Sequence, residues 1–150
     1  MMKRLLGAIA VLAVTATGCP LGPFAGGRLG GEVRAPLADW AFVDEHETCQ
    51  LETNPADPYS VNTWCTGYGD ALYIPTSMIL GPPVPSEREW VRNVQADPRV
   101  RVRIGETVYE LRAVRVEDEE LAEQVLLTLE KKHEPRDPDR EIWVYRMQAR

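Results

Sequence analysis

The stretch VRVRIGETVYEL, residues 100–111, alternates apolar and polar side chains up to Gly105-Glu106 and resumes the alternation beyond them. A period of two marks a β-strand. Glycine leading a two-residue connection suits a type II′ hairpin turn, which needs a positive φ at its first position. That turn fixes the register. Ile104 faces Thr107, Val102 faces Tyr109, Val100 faces Leu111, and Arg101 faces Glu110. The Val face is expected to pack inward. The Arg face is expected to be solvated, with an anion site as the other reading.

The flanks extend this picture. Upstream, Ser86-Glu87-Arg88-Glu89 reads as a capping box with Ser86 at the N-cap and Glu89 three residues on. The helix it opens carries Trp90, Val91 and Val94 on one side. It stops before Asp97-Pro98, because a residue preceding proline is pushed out of the helical region. Downstream, Asp118-Glu119-Glu120 opens a second helix running to about Lys132. Acids at its start and Lys131-Lys132-His133 at its end both complement the helix dipole. Leu121, Val125 and Leu129 form its buried stripe. IWVYRMQ (142–148) reads as a last strand.

Before the first helix, PLADWAFVDE (36–45) is a strand or an extended arm. ETCQLET (47–53) and SVNTWCT (60–66) read as strands joined by a Pro/Asp-rich turn. If that hairpin centres on Asp57, Cys49 lies directly opposite Cys65, within disulfide reach. Two buried free thiols are the alternative. Gly67-Tyr68-Gly69-Asp70 is a turn signal. ALYIPTSM (71–78) is a strand and LGPPVP (80–85) a stiff loop. The expected fold class is α+β and mainly β: a small six-stranded antiparallel split β-barrel with two flanking helices.

The leading residues have a different character. Met1-Met2-Lys3-Arg4 is a short basic region, and Leu5 to Ala16 is apolar apart from Gly7 and Thr15. A run this short suits an export signal rather than a bilayer span, which needs about 20 residues. It ends at Thr17-Gly18-Cys19, which resembles the lipobox of bacterial lipoproteins, although Ala16 stands where that family usually has Leu. The resemblance implies a signal peptide over 1–18, lipidation of Cys19, and export to the cell envelope. Pro20 at the next position, rather than Asp, favours the outer membrane. Residues 19–31, rich in Gly and Pro, read as a lipidated tether spanning roughly 20 Å. Residues 32–150 form the folded domain.

The chain has 17 basic and 23 acidic residues, net −6, and loss of Lys3 and Arg4 with the signal takes it to −8. That balance excludes nucleic acid as a partner. There is no GxSxG, P-loop, HExxH or metal-ligand spacing. His46, among acids in DEHET, is read as solvated, and His133 as a helix-end cation. No metal site is expected, and no catalytic residue stands out.

Leu72-Tyr73, Trp90, Asn93, Asp97-Pro98 and Val100, followed by the basic-alternating strand, Gly105 and another strand, carry a family resemblance. Residues 72–116 resemble the split-barrel flavin-binding superfamily, nearest its deazaflavin-dependent nitroreductase branch, with pyridoxamine-phosphate-oxidase-like proteins as cousins. The resemblance implies a groove for FMN or a deazaflavin, commonly at a homodimer interface. It places the cofactor phosphate at Thr76, Ser77, Arg88 and Arg92, and the ring edge at Thr63 and Trp64. NPADPYSVNT (54–63) stands where such proteins carry a Gly/Arg/Lys-type phosphate loop. Two functions follow. One is an anchored envelope module for binding or structure that keeps the barrel and does not retain a cofactor. The other is a flavin- or deazaflavin-dependent oxidoreductase, nitroreductase-like, acting on a small molecule.

Overall fold

The structure, a computed structural model, describes residues 18–150. Except for Gly18, the expected signal segment therefore lies outside the described residues. Eight strands form one sheet: β1 (Glu32–Arg34), β2 (Cys49–Thr53), β3 (Tyr59–Thr63), β4 (Thr66–Tyr68), β5 (Ala71–Pro75), β6 (Arg99–Ile104), β7 (Thr107–Arg115) and β8 (Val144–Ala149). Two helices, α1 (Glu89–Ala96) and α2 (Glu119–Lys132), flank it. The hydrogen-bonded order is β3-β2-β6-β7-β8-β5-β4, with β1 added beside β7. Every ladder is antiparallel except β1 on β7. Among the described residues no ladder joins β3 to β4, so the barrel is split between them.

The β6–β7 hairpin has the expected register, with Ile104 opposite Thr107 and Arg101 opposite Glu110. Gly105 sits at φ +61° and Glu106 has no positive φ. This is the requirement of a type II′ turn. Val100, Val102, Tyr109 and Leu111 point into the barrel core, where they join Leu51, Leu72, Ile74, Tyr145 and Met147. Trp90, Val91 and Val94 of α1 pack on that same core.

β5 is buried along its whole length, which explains its unbroken apolar sequence. Leu72 and Ile74 face the barrel core, while Ala71 and Tyr73 face a second cluster. That cluster is completed by Val125, Leu126 and Leu129 of α2, with Met78 and Val144. Asp118 caps α2 as a sequence reader would hope, accepting from the amides of Glu120 and Leu121.

Several expectations are corrected. Residues 41–45 form a short 3₁₀ helix, not a strand. Thr66–Tyr68 makes a strand of its own where a turn was read. Ser86 does not cap α1: Pro85–Glu87 is a 3₁₀ turn and Arg88 occupies the N-cap without a side-chain bond. Proline at the first helical position favours starting a turn there.

The β2–β3 register pairs Cys49 with Thr63, not with Cys65. The turn centres on Ala56, one residue earlier than expected, which moves the register by two; Asn54 is in the left-handed region at φ 56° and its carbonyl accepts from the Asp57 amide. Asparagine tolerates that conformation well. The disulfide nevertheless forms. Cys65 lies just past the end of β3, and its Cα is 6.1 Å from that of Cys49.

The Arg face of β6 is solvated at Arg99, half-buried at Arg103 and buried at Arg101. Residues 18–31 lie along the domain, with Ser60 and Gly26 exchanging backbone hydrogen bonds and Leu29 buried. The side chain of Arg101 reaches under this arm and donates to the Leu29 carbonyl at 2.9 Å. Gly26 is required where the arm turns back on itself, since a Cβ there would collide with the Gly18 carbonyl and the Pro20 nitrogen.

Candidate functional site: the groove at the split

Where the ladder is broken, a groove of about 750 Å³ opens. This is the size of a small-molecule site. Its walls come from four elements: β3 with the following Trp64, the end of β5 at Pro75, the loop 77–82, and the start of α1 at Trp90. Gly22 to Phe24 of the arm form part of its rim. The walls are largely apolar and aromatic because β3 and β5 diverge there, leaving inward-facing side chains uncovered.

Of the six residues to which the family resemblance points, Thr63, Trp64, Ser77 and Arg88 line this groove, and Thr76 and Arg92 do not. The Thr76 hydroxyl is buried and accepts from the Trp143 amide at 2.9 Å. Arg92 lies on the exposed face of α1, paired with Glu89 at 2.7 Å and donating to the Glu87 carbonyl. The Ser77 oxygen accepts from the Leu80 amide at 2.9 Å, which leaves its proton free to be donated. Thr63 donates to the Trp64 carbonyl.

Arg88 is the one basic residue among the described lining. Its guanidinium donates to the carbonyls of Leu80 and Pro82. Arg140 donates to the carbonyls of Leu80, Gly81 and Pro82 from the other side. Burial, and then the neighbouring Arg140 charge, lower the Arg88 pKa. Glu87 and Glu89 also line the groove. Its electrostatics therefore disfavour an anion.

Most of the other lining residues escaped the sequence reading, Tyr59, Met78 and Trp90 among them. Tyr59 directly follows Pro58 and reads as part of the joining turn, whereas it is the first residue of β3. Burial and the nearby Glu89 carboxylate raise its phenol pKa, so Tyr59 remains a neutral donor. Trp90 was legible only as core, and it does belong to the core while showing an edge to the groove.

Trp64 is shared between two spaces. It lines the groove and also a second, acidic pocket of about 500 Å³ bounded by Asp44, Glu45, Glu47, Lys132 and His133. Its ring stacks on His133 with centroids 4.2 Å apart and planes inclined by 1°. The His133 Nε2 is buried without a partner. Burial, and then the charge of Lys132, lower the His133 pKa. Lys132 is tied to the Val43 carbonyl at 3.0 Å, which holds the end of α2 against the 3₁₀ turn. Among the described residues no group of three metal-ligand candidates converges, and no helix is long and apolar enough to cross a membrane.

With this geometry established, comparison with known proteins is informative. The model of the F420H(2)-dependent quinone reductase family matches residues 67–147. That segment, more than half of the chain, runs from β4 through β8, and the chain belongs to this family. The fold is the split barrel of the flavin-binding superfamily.

Among solved structures, a conserved hypothetical protein of Mycobacterium tuberculosis superposes with a TM-score of 0.56 at 19% identity, covering 79% of this chain and 86% of that one. The haem storage protein HutZ of Vibrio cholerae gives 0.54 at 19% identity, over 73% and 85% of the two chains. A pyridoxamine 5′-phosphate oxidase candidate of Listeria innocua gives 0.53 at 18% identity, over 73% and 88%. At these identities the likeness concerns the fold alone. No protein of curated function matches the chain by sequence.

A flavin or deazaflavin joins a planar ring to an anionic tail. The groove fits the ring, between Trp64, Met78 and Trp90. It does not fit the tail. Its lining cation is committed to two carbonyls, the Thr76 hydroxyl is turned to Trp143, and two carboxylates stand on the rim.

Proposed function

We propose that the protein is an exported, lipid-anchored binding module whose groove takes an uncharged planar molecule of the quinone class and does not retain an anionic flavin-type cofactor. The observation that carries this is the state of Arg88: spent on Leu80 and Pro82, beside Glu87 and Glu89. A half-buried charge released from such partners loses its hydrogen bonds, so recruiting Arg88 to a phosphate has a cost that a neutral ligand avoids. Tyr59 and Ser77 are the donors available to a ring carbonyl, and Trp64 and Trp90 supply aromatic faces. The family's name supports the ligand class. The Thr17-Gly18-Cys19 sequence supports the anchor, with the envelope, and the outer membrane in particular, as its place.

The second reading is a flavin- or deazaflavin-dependent oxidoreductase. Family membership and the preserved volume of the groove favour it. A bound deazaflavin or flavin would supply hydride chemistry toward a small acceptor. Under this reading Thr63 and Trp64 edge the ring, Ser77 meets the phosphate, and the groove is shared with a second copy of the chain.

Tryptophan fluorescence separates the two readings. A water-soluble naphthoquinone is expected to quench the emission saturably, with the effect reduced in Trp64→Phe. FMN and the deazaflavin are expected to leave their own absorbance spectra unchanged on mixing. Micromolar retention of either cofactor would overturn the first reading and establish the second. Elution as a dimer with cofactor bound would support the shared groove.

A further inference from the structure

The groove mouth carries apolar side chains that the barrel does not use. Leu21 and Phe24 are 76% and 74% exposed, at the tip of a tight turn closed by reciprocal backbone bonds between those two residues. Leu80, 68% exposed, stands on the same rim, since Phe24 and Leu80 both line the groove. The turn is fixed rather than loose. Asn62, a groove residue, donates to the carbonyls of Pro20 and Gly22. Arg103 donates to the Cys19 sulfur at 3.3 Å. Cys19 is thus held two residues from the exposed turn, with its sulfur against Arg103 of β6.

We infer that the Leu21–Phe24 turn and Leu80 form a membrane-contacting rim that points the groove mouth into the lipid surface, so that an apolar ligand enters from the bilayer. This rests on the anchored, ligand-binding reading above and specifies where the ligand comes from. The occupant of the rim is lipid for three reasons. The point of lipidation leads into the rim within two residues. The exposed side chains are large and aliphatic or aromatic, the kind that dip into the acyl boundary. Among the described lining residues the one cation, Arg88, is committed to carbonyls, and Glu87 and Glu89 share the groove. Contact therefore comes from apolar insertion, is insensitive to salt, and needs no anionic lipid. Removal of one such side chain is expected to weaken contact roughly tenfold.

The test uses the full lipidated protein in phosphatidylcholine vesicles, with an environment-sensitive fluorophore on Leu21→Cys, Leu80→Cys or, as a position away from the rim, Glu120→Cys. The labels at 21 and 80 are expected to shift to the blue and to be quenched by brominated lipid, and the label at 120 to report water. Water-like emission at 21 and 80 overturns the inference. So does a blue shift that appears only when a second protein is added. Leu21→Asp, which lies outside the groove lining, is expected to slow uptake of a bilayer-dissolved quinone roughly tenfold while leaving affinity for a water-soluble quinone unchanged. If no quinone binds yet the labels report lipid, the groove reading falls and the orientation stands. If quinone binds and the labels report water, the reverse holds.

Discussion

Glu52 and Arg101 meet at 3.0 Å beneath the N-terminal arm, and the same Glu52 oxygen accepts from the Leu29 amide at 2.7 Å. Glu52 is only 3% exposed. The pair joins β2 to β6, and through Leu29 both groups clasp the arm to the barrel. Removing one partner of a buried pair strands the other charge. Glu52→Ala is therefore expected to cost about 3–5 kcal/mol, measured as a lower urea midpoint. The paired change Glu52→Leu with Arg101→Met is expected to recover most of that loss.

Cys49 and Cys65 close a loop of 16 residues in sequence separation. Loss of the bridge in Cys65→Ser is expected to cost about 3 kcal/mol through greater freedom of the unfolded chain. A reducing agent should reproduce the drop in the wild-type midpoint and leave the variant unmoved. An unchanged midpoint in both would show that the bridge carries no stability.

His133 gives the protein a pH dependence of definite sign. Burial lowers its pKa in the folded state, so the unfolded chain binds the proton more readily. The contribution is complete above the ordinary imidazole pKa of about 6.5 and is lost as pH falls from there through the depressed folded value. Stability measured at pH 7.5 should exceed that at pH 5.5. His133→Phe, which keeps an aromatic face against Trp64, should flatten this difference.

Arg88 and Arg140 bind the same loop carbonyls from two sides. Loop 80–83 has no ladder to hold it, so these bonds fix that wall of the groove. Arg88→Ala is expected to raise amide exchange across 79–84 and to leave β6 and β7 protected as before. Equal loss of protection in the β6–β7 hairpin would mean global destabilisation instead.

Elements whose signals are local were readable in the sequence. The β6–β7 hairpin was fixed by one glycine and strict alternation, and α2 by Asp118 and its charged ends. Elements decided by distant contacts were not. Ser86 is a good cap by sequence, yet Pro85 starts a 3₁₀ turn before it can act. Cys49 and Cys65 were correctly joined on an incorrect register, because a disulfide tolerates a shift of two residues that hydrogen bonds do not. The arm was the largest surprise. Five glycines in twelve residues resemble a loose leash, and the one signal against it was Leu29, whose burial depends on Glu52 and Arg101 far away in sequence. Trp64, Ser77 and Arg88 could be placed at the groove by family likeness, but their commitments to His133, Leu80 and Pro82 could not be seen.

β3 and β4 are consecutive, yet Trp64 and Cys65 alone connect them across the gap in the sheet. Cys65 is fastened to β2, while Trp64 is seated by its stack on His133 and its packing against the α2 cluster. One lip of the opening is thus tied across the sheet by a covalent rung that is added only where thiols become cystine.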